Sequence, residues 1–146
     1  MSKLRQLVAS APEYFSGTIK ESESSLREVE EALLVRLPDD LKWFLITCGY
    51  SECCPIPNMQ ESISNTIRFR EAVTLPKQYV VLDDRNDTGA ILLDTESSAG
   101  LVLWIDTHTI DTLKSGFSGP TERDQFPDFA SWVSYCLEET KNERAT

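Results

Sequence analysis

Leu37-Pro38-Asp39-Asp40-Leu41-Lys42-Trp43-Phe44-Leu45-Ile46-Thr47-Cys48-Gly49 carries both a start and a stop for one helix. Proline is tolerated at the first helical position, where its missing N–H has no partner to lose, and Asp39 and Asp40 put carboxylates at the positive end of the helix dipole. Leu41, Phe44, Leu45 and Cys48 recur at helical spacing on one face with Trp43 beside them, and Gly49 can take the left-handed conformation that ends a helix. A helix this short is marginal alone in water, so its apolar face must be buried. The stretch is the expected hub of the core, and Trp43, Phe44 and Trp132 are assigned to packing.

Toward the N-terminus, Ser22 or Ser24 is placed to cap a helix through Leu26, Val29, Leu33 and Leu34, with Glu21, Glu23, Glu28, Glu30 and Glu31 crowding its early turns. Its glutamate face reads first as a solvated surface and second as a docking patch. Leu4, Leu7 and Val8 suggest a shorter helix that ends before Pro12. Toward the C-terminus, Tyr50 to Asn65 contains Pro55 and Pro57 and reads as a long loop, the kind of segment in which specificity concentrates. Ile67-Arg68-Phe69-Arg70 alternates apolar and basic residues, as a half-buried strand does.

Tyr79–Leu82, Ala90–Asp94 and Leu101–Ile105 have strand composition, and turn residues at Asp83–Gly89 and Thr95–Gly100 join them into an antiparallel meander. Their near-continuous apolar runs predict strands covered by helices on one face and in part by a loop on the other. Residues 114–125 read as a further loop. Phe129, Trp132, Val133, Cys136 and Leu137 then predict a terminal helix behind Asp128, and Glu138 to Thr146 lacks an apolar stripe and reads as a frayed tail. The expected architecture is α+β, helices packed against an antiparallel sheet, in a single domain over residues 1–146. Its core spans about residues 20–140, and residues 141–146 belong to the tail.

The chain has 146 residues, 24 acidic against 14 basic, for a formal net charge of -10. Such an excess of carboxylates repels nucleic acid and anionic membranes, keeps the protein soluble, and speeds association with a basic protein partner. No secretory leader or membrane span is apparent, which places the protein in the cytoplasm as an expectation. Of the four cysteines, Cys48 and Cys136 fall on apolar helical faces, where a free thiol behaves as a small hydrophobe. Cys53-Cys54 lacks the C-x2-C spacing of structural zinc sites, and His108 is the sole histidine, so neither a metal nor a redox centre is expected from spacing.

The same inventory leaves little for catalysis. There is no G-x-S-x-G elbow, no glycine-rich phosphate loop and no H-E-x-x-H helix, and a lone histidine at a strand end is more often a surface group than a catalyst. Asp83, Asp84 and Asp87 around Asn86 resemble part of a calcium loop but lack its remaining ligand positions, and hairpin turns select the same residues. The expectation is a binding protein with no cofactor. Its candidate contact residues are Tyr50, Glu52, Glu61, Asp83, Asp84, Asp87, Asp106 and Asp111, acidic groups and one aromatic at loops and strand ends. Trp104 could serve as a second anchor, though a core role suits it better.

The glutamate-rich helix, the Leu37-to-Gly49 stretch, Leu75-Pro76-Lys77-Gln78-Tyr79-Val80-Val81-Leu82, Gly89-Ala90-Ile91-Leu92-Leu93-Asp94-Thr95 and Leu101-Val102-Leu103-Trp104 together resemble the SUKH superfamily over about residues 20 to 140. Cys48 departs from the pattern, since an aromatic or asparagine commonly stands beside that glycine. The resemblance implies an α+β fold. For bacterial members it also implies an immunity protein that binds and neutralises a cognate toxin, often a nuclease, while some fungal relatives regulate cell-wall synthesis. A cognate toxin with a basic effector domain is therefore the expected partner. The alternative is a non-enzymatic regulatory or scaffold protein that recognises a peptide or small ligand in a sheet-face groove, and a small-molecule hydrolase is a minor third reading.

Overall fold

The computed structural model describes residues 2–51, 53–86, 89–106 and 124–145. Glu52, Asp87, His108, Asp111, most of the 114–125 loop and Thr146 lie outside the described residues. The helices are α1 (Lys3–Ser10), α2 (Glu23–Leu33), α3 (Asp39–Thr47), α4 (Met59–Ala72) and α5 (Phe129–Ala145). The strands β1 (Tyr79–Asp84), β2 (Ala90–Asp94), β3 (Val102–Ile105) and β4 (Asp124–Phe126) form one antiparallel sheet in the order β1-β2-β3-β4. This is the expected α+β architecture, with five α-helices around one sheet among the described residues.

Because side chains alternate across a sheet, the uninterrupted apolar runs of β1 to β3 must be buried on both faces. Val80, Leu82, Ile91, Leu93 and Val102 point to one side, where Leu4 of α1, Leu26 and Leu33 of α2, Phe44 of α3 and Trp132 of α5 meet them in one apolar cluster. Val81, Ala90, Leu92, Leu103 and Ile105 point to the other, in a second cluster with Phe69 and Leu75. Phe44 sits at the middle of the first cluster, edge-on to Phe15 at 5.9 Å and to Phe129 at 5.6 Å. The hub assignment for α3 therefore describes the packing, and Trp132 is buried as expected. Trp43 is only half-buried, with the Arg5 guanidinium 5.2 Å from its ring centre.

The C-terminal end of α3 is closed by a strap from upstream. Gly17 N–H donates to Cys48 O at 2.9 Å, Glu21 N–H to Leu45 O at 3.1 Å, and Tyr50 N–H to Ile19 O at 3.0 Å. The first two satisfy carbonyls that a helix end otherwise leaves without partners, and the third ties the chain after α3 to the strap. They need the backbones to approach closely: a Cβ on Gly17 would lie 2.7 Å from both Cys48 O and Tyr50 O. Gly49 takes φ +71°, and a Cβ there would run into the Ile19 carbonyl.

Three expectations need correction. Ile67–Arg70 is not a strand, and the loop expected over Tyr50–Asn65 stops at Asn58, because α4 occupies Met59–Ala72. The buried stripe of α4 is Met59, Ser62, Thr66 and Phe69, and two small polar residues in it mask the helical period, so only the local alternation shows. The helix starts where Asn58 accepts the Glu61 N–H at 2.8 Å. Second, Glu138–Ala145 is not frayed. It continues α5, with Arg144 stacked 4.7 Å from the Tyr14 ring centre and Thr140 Oγ1 bonded to Cys136 O at 2.9 Å. Third, Asp124 and Gln125 belong to β4 and not to a loop, and Asp83 and Asp84 end β1 instead of opening the turn.

Helix α4 also changes the expected layering. Arg70 Nη2 bonds Leu33 O and Lys77 O, both at 2.9 Å, and Thr66 Oγ1 accepts the Val81 N–H at 2.9 Å. It therefore runs antiparallel to β1 along the outer edge of the sheet and reaches both apolar clusters, through Met59 on one side and Phe69 on the other. Covering an edge strand with a helix removes a row of unpaired backbone groups.

Candidate functional site

Running α4 antiparallel to β1 brings the helix N-terminus to the end of the sheet where β1 stops, β2 begins and β3 stops. Glu61 lies in the first turn of α4, where a carboxylate favours the helix dipole. Asp83 and Asp84 are the last residues of β1, and Asp84 is paired with Ala90 at the start of β2. Ala90 is paired in turn with Ile105, so Asp106 leaves β3 at the same end. Four of the candidate contact residues are thus gathered on one rim, although they come from three elements.

Two arginines are interleaved with these carboxylates. Arg68 Nη2 of α4 lies 2.5 Å from Asp84 Oδ2, and Asp84 Oδ1 accepts the Asn86 N–H at 3.0 Å. Arg85 Nη1 lies 3.6 Å from Asp83 Oδ2, with its guanidinium 5.3 Å from the centre of the Trp104 ring. Burial pushes the Asp83 carboxyl above the ordinary carboxylate range, Arg85 opposes the shift, and the charges of Asp84 and Glu61 add to it. Burial is the larger part of that shift, and Asp84 and Asp83 are paired with Arg68 and Arg85, so the rim is a mixed-charge patch with an excess of carboxylates.

Tyr50 is placed differently from a bare anchor. Its hydroxyl donates to Glu21 Oε2 and accepts the Met59 N–H at 3.0 Å, so it ties the strap, the end of α3 and the start of α4 together. Burial, then the hydrogen bond and charge of Glu21, push its phenol far above the ordinary range. Glu21, Arg68 and Arg85 are the participants that reading the sequence missed, since contacts between distant segments leave no mark in local spacing. Trp104 is half-buried at the edge of the first cluster.

A concavity lies between α2 and α3. It is a groove of about 520 Å³ with Leu26, Trp43 and Ile46 along its floor and Glu23, Glu30 and Asp39 on its rim. Lys42 Nζ closes one side at 3.0 Å from Glu30 Oε2, which also accepts the Leu37 N–H at 2.7 Å. The expected groove was on a sheet face, and this one is between helices. Among the described residues no group of three or more His, Cys, Asp or Glu side chains could hold a metal ion, and no helix is long and apolar enough to cross a membrane.

The sequence profile of the SUKH_5 family, described as SMI1-KNR4 cell-wall, matches residues 5–138. The chain belongs to this family. The SUKH fold is thereby confirmed over nearly the whole chain, and the family is generally associated with non-enzymatic immunity proteins. A search of curated proteins finds no match to this SUKH_5 chain.

Proposed function

We propose that this SUKH_5 protein is a cytoplasmic immunity protein that neutralises a cognate toxin by occluding its basic effector domain, without catalysis of its own. The observation that carries the reading is the acidic rim formed by Glu61, Asp83, Asp84 and Asp106 at one end of the sheet. The net charge of -10 adds long-range attraction toward a basic partner, and the family's general association with immunity proteins supports the same role. Docking the rim over lysines and arginines that bind a nucleic-acid backbone would block that toxin's substrate and add cationic partners to carboxylates of which Asp84 and Asp83 already face Arg68 and Arg85.

The test is binding to effector domains encoded beside the gene. Glu61→Arg combined with Asp106→Arg should lower the association rate by about tenfold or more at low salt, with the effect shrinking as salt is raised, in protein whose fold is checked by circular dichroism. If no neighbouring effector binds, or if the double variant associates at the wild-type rate, the reading fails. The α2–α3 groove favours a second reading, a regulatory or scaffold role in which an apolar peptide segment lies along Leu26, Trp43 and Ile46. Binding there should depend weakly on salt and collapse in Trp43→Ala, leaving the rim substitutions without effect.

A further inference from the structure

The cleft between α5 and the sheet already holds an arginine. Its volume is about 280 Å³; Trp104 of β3, Ile91 of β2 and Tyr135 of α5 give it apolar surface, and Glu139 and Glu143 of α5 give it carboxylates. Arg85 lines the same space, with its guanidinium 5.3 Å from the centre of the Trp104 ring and 3.6 Å from Asp83 Oδ2. The two rings are positioned by contacts of their own. Trp104 is paired with Ile91 in one neighbouring strand and with Asp124 in the other, and a Cβ on Gly89 would lie 3.4 Å from its Nε1. The Tyr135 ring packs against Phe126 at 5.3 Å. An indole face with carboxylates near it suits a flat, weakly hydrated guanidinium. The chain's own Arg85 shows that the cleft accepts that group.

We propose that this cleft receives an arginine side chain from a protein partner, whose guanidinium replaces that of Arg85 on Trp104. The inference rests on the rim as a docking surface for a basic partner, and it adds which residue that partner must present. Arg85 is placed to give way. Its N–H donates to Gly89 O at 2.9 Å, so the backbone stays fixed while the side chain swings. At 3.6 Å its pair with Asp83 is beyond hydrogen-bond reach, and 37% of the Arg85 side chain is exposed, which makes the pair a surface contact of small worth. Arg68, the other arginine of the rim, is gripped by Asp84 at 2.5 Å and stays. When Arg85 swings out, the incoming group inherits the indole face and Asp83, a carboxyl whose burial disfavours an unpaired charge. Two further cations of α5 are engaged with other groups: Lys141 lies 3.9 Å from Glu138, and Arg144 lies 4.7 Å from the Tyr14 ring centre. Lysine fits less well, because a compact, strongly hydrated ammonium neither stacks flat nor offers a two-pronged fork to a carboxylate.

The test titrates the intact, nitrogen-15-labelled chain with a capped glycine-arginine-glycine peptide and follows the indole N–H signals of its three tryptophans by NMR. Trp104→Phe assigns the Trp104 signal. That signal should move as the arginine peptide is added, while the signal of the buried Trp132 stays in place. The matching lysine peptide should bind about fivefold or more weakly. Arg85→Gln, a change at an exposed side chain, should bind the arginine peptide about threefold or more tightly, because the competing guanidinium is gone. Glu139→Gln combined with Glu143→Gln should weaken binding by about threefold or more. A Trp104 signal that ignores the arginine peptide, equal binding of the lysine peptide, or an Arg85→Gln chain that binds no better than the wild type would each overturn the slot. No toxin enters these measurements, so the peptide result decides the slot and the effector result decides the rim, and either can fail alone.

Discussion

Helices α2 and α3 are neighbours that both leave through a left-handed residue, and the two exits are built in opposite ways. At the end of α3 the residue is Gly49, at φ +71°, and the strap from Gly17 to Glu21 passes so close that a side chain has no room. At the end of α2 it is Leu34, at φ 56° and ψ 45°, with 82% of its surface exposed. A leucine in that conformation carries backbone strain of about 1–2 kcal/mol and returns almost no burial. The contrast separates two meanings of one dihedral angle. At α3 it is a packing requirement, and at α2 it is only the shortest way for the chain to turn toward Leu37, whose N–H is then caught by Glu30.

The sharpest way to break this contrast is Gly49→Ala. The methyl group adds left-handed strain and displaces the Ile19 carbonyl, so the stability measured by chemical denaturation should fall by about 2–4 kcal/mol. A loss of a few tenths would mean that the strap moves freely and that the two exits are alike. Next in size is Tyr50→Phe, which keeps the ring but leaves the Met59 N–H and Glu21 without the hydroxyl. It should cost about 1–2 kcal/mol. The same variant carries a pH signature. The Tyr50 phenol is pushed up from its ordinary 10.0, so the folded state holds its proton where the unfolded state has released it, and wild-type stability should fall as pH rises above that value. In Tyr50→Phe that part of the alkaline slope should disappear, and an unchanged slope would mean that the Tyr50 hydroxyl does not tie the strap to α4. The smallest effect is Leu34→Gly, which relieves strain and gives up little contact. Stability should stay level or rise by up to about 1 kcal/mol, and a clear loss would show that Leu34 is held in place by packing.

The same contrast shows what the sequence could convey. The start and stop of α3 are written in consecutive residues, Pro38-Asp39-Asp40 and Cys48-Gly49, and the three apolar strands declare themselves by composition. Helix α4 does not, because its buried face contains Ser62 and Thr66, which contribute no hydrophobic period: the Thr66 hydroxyl donates to Ser62 O at 2.6 Å and accepts the Val81 N–H, while the buried Ser62 hydroxyl has no hydrogen-bond partner. The far half of α5 was lost for a related reason. Its residues from Glu138 are held by a cation on an aromatic ring from the other end of the chain, a contact that no local window contains. The rim was legible as a set of acidic residues at element ends. Its assembly was not, since joining Glu61 to Asp83 depends on the misread helix.

Thr66 has a consequence for how the protein would go wrong. With its hydroxyl on the Val81 amide, α4 acts as a lid on Tyr79-Val80-Val81-Leu82, a β-branched and aromatic run with no charge in it. Such a run with free backbone groups is a template for fibril growth. Undocking of one helix, well short of global unfolding, is therefore the event that would set the protein's shelf life in concentrated solution.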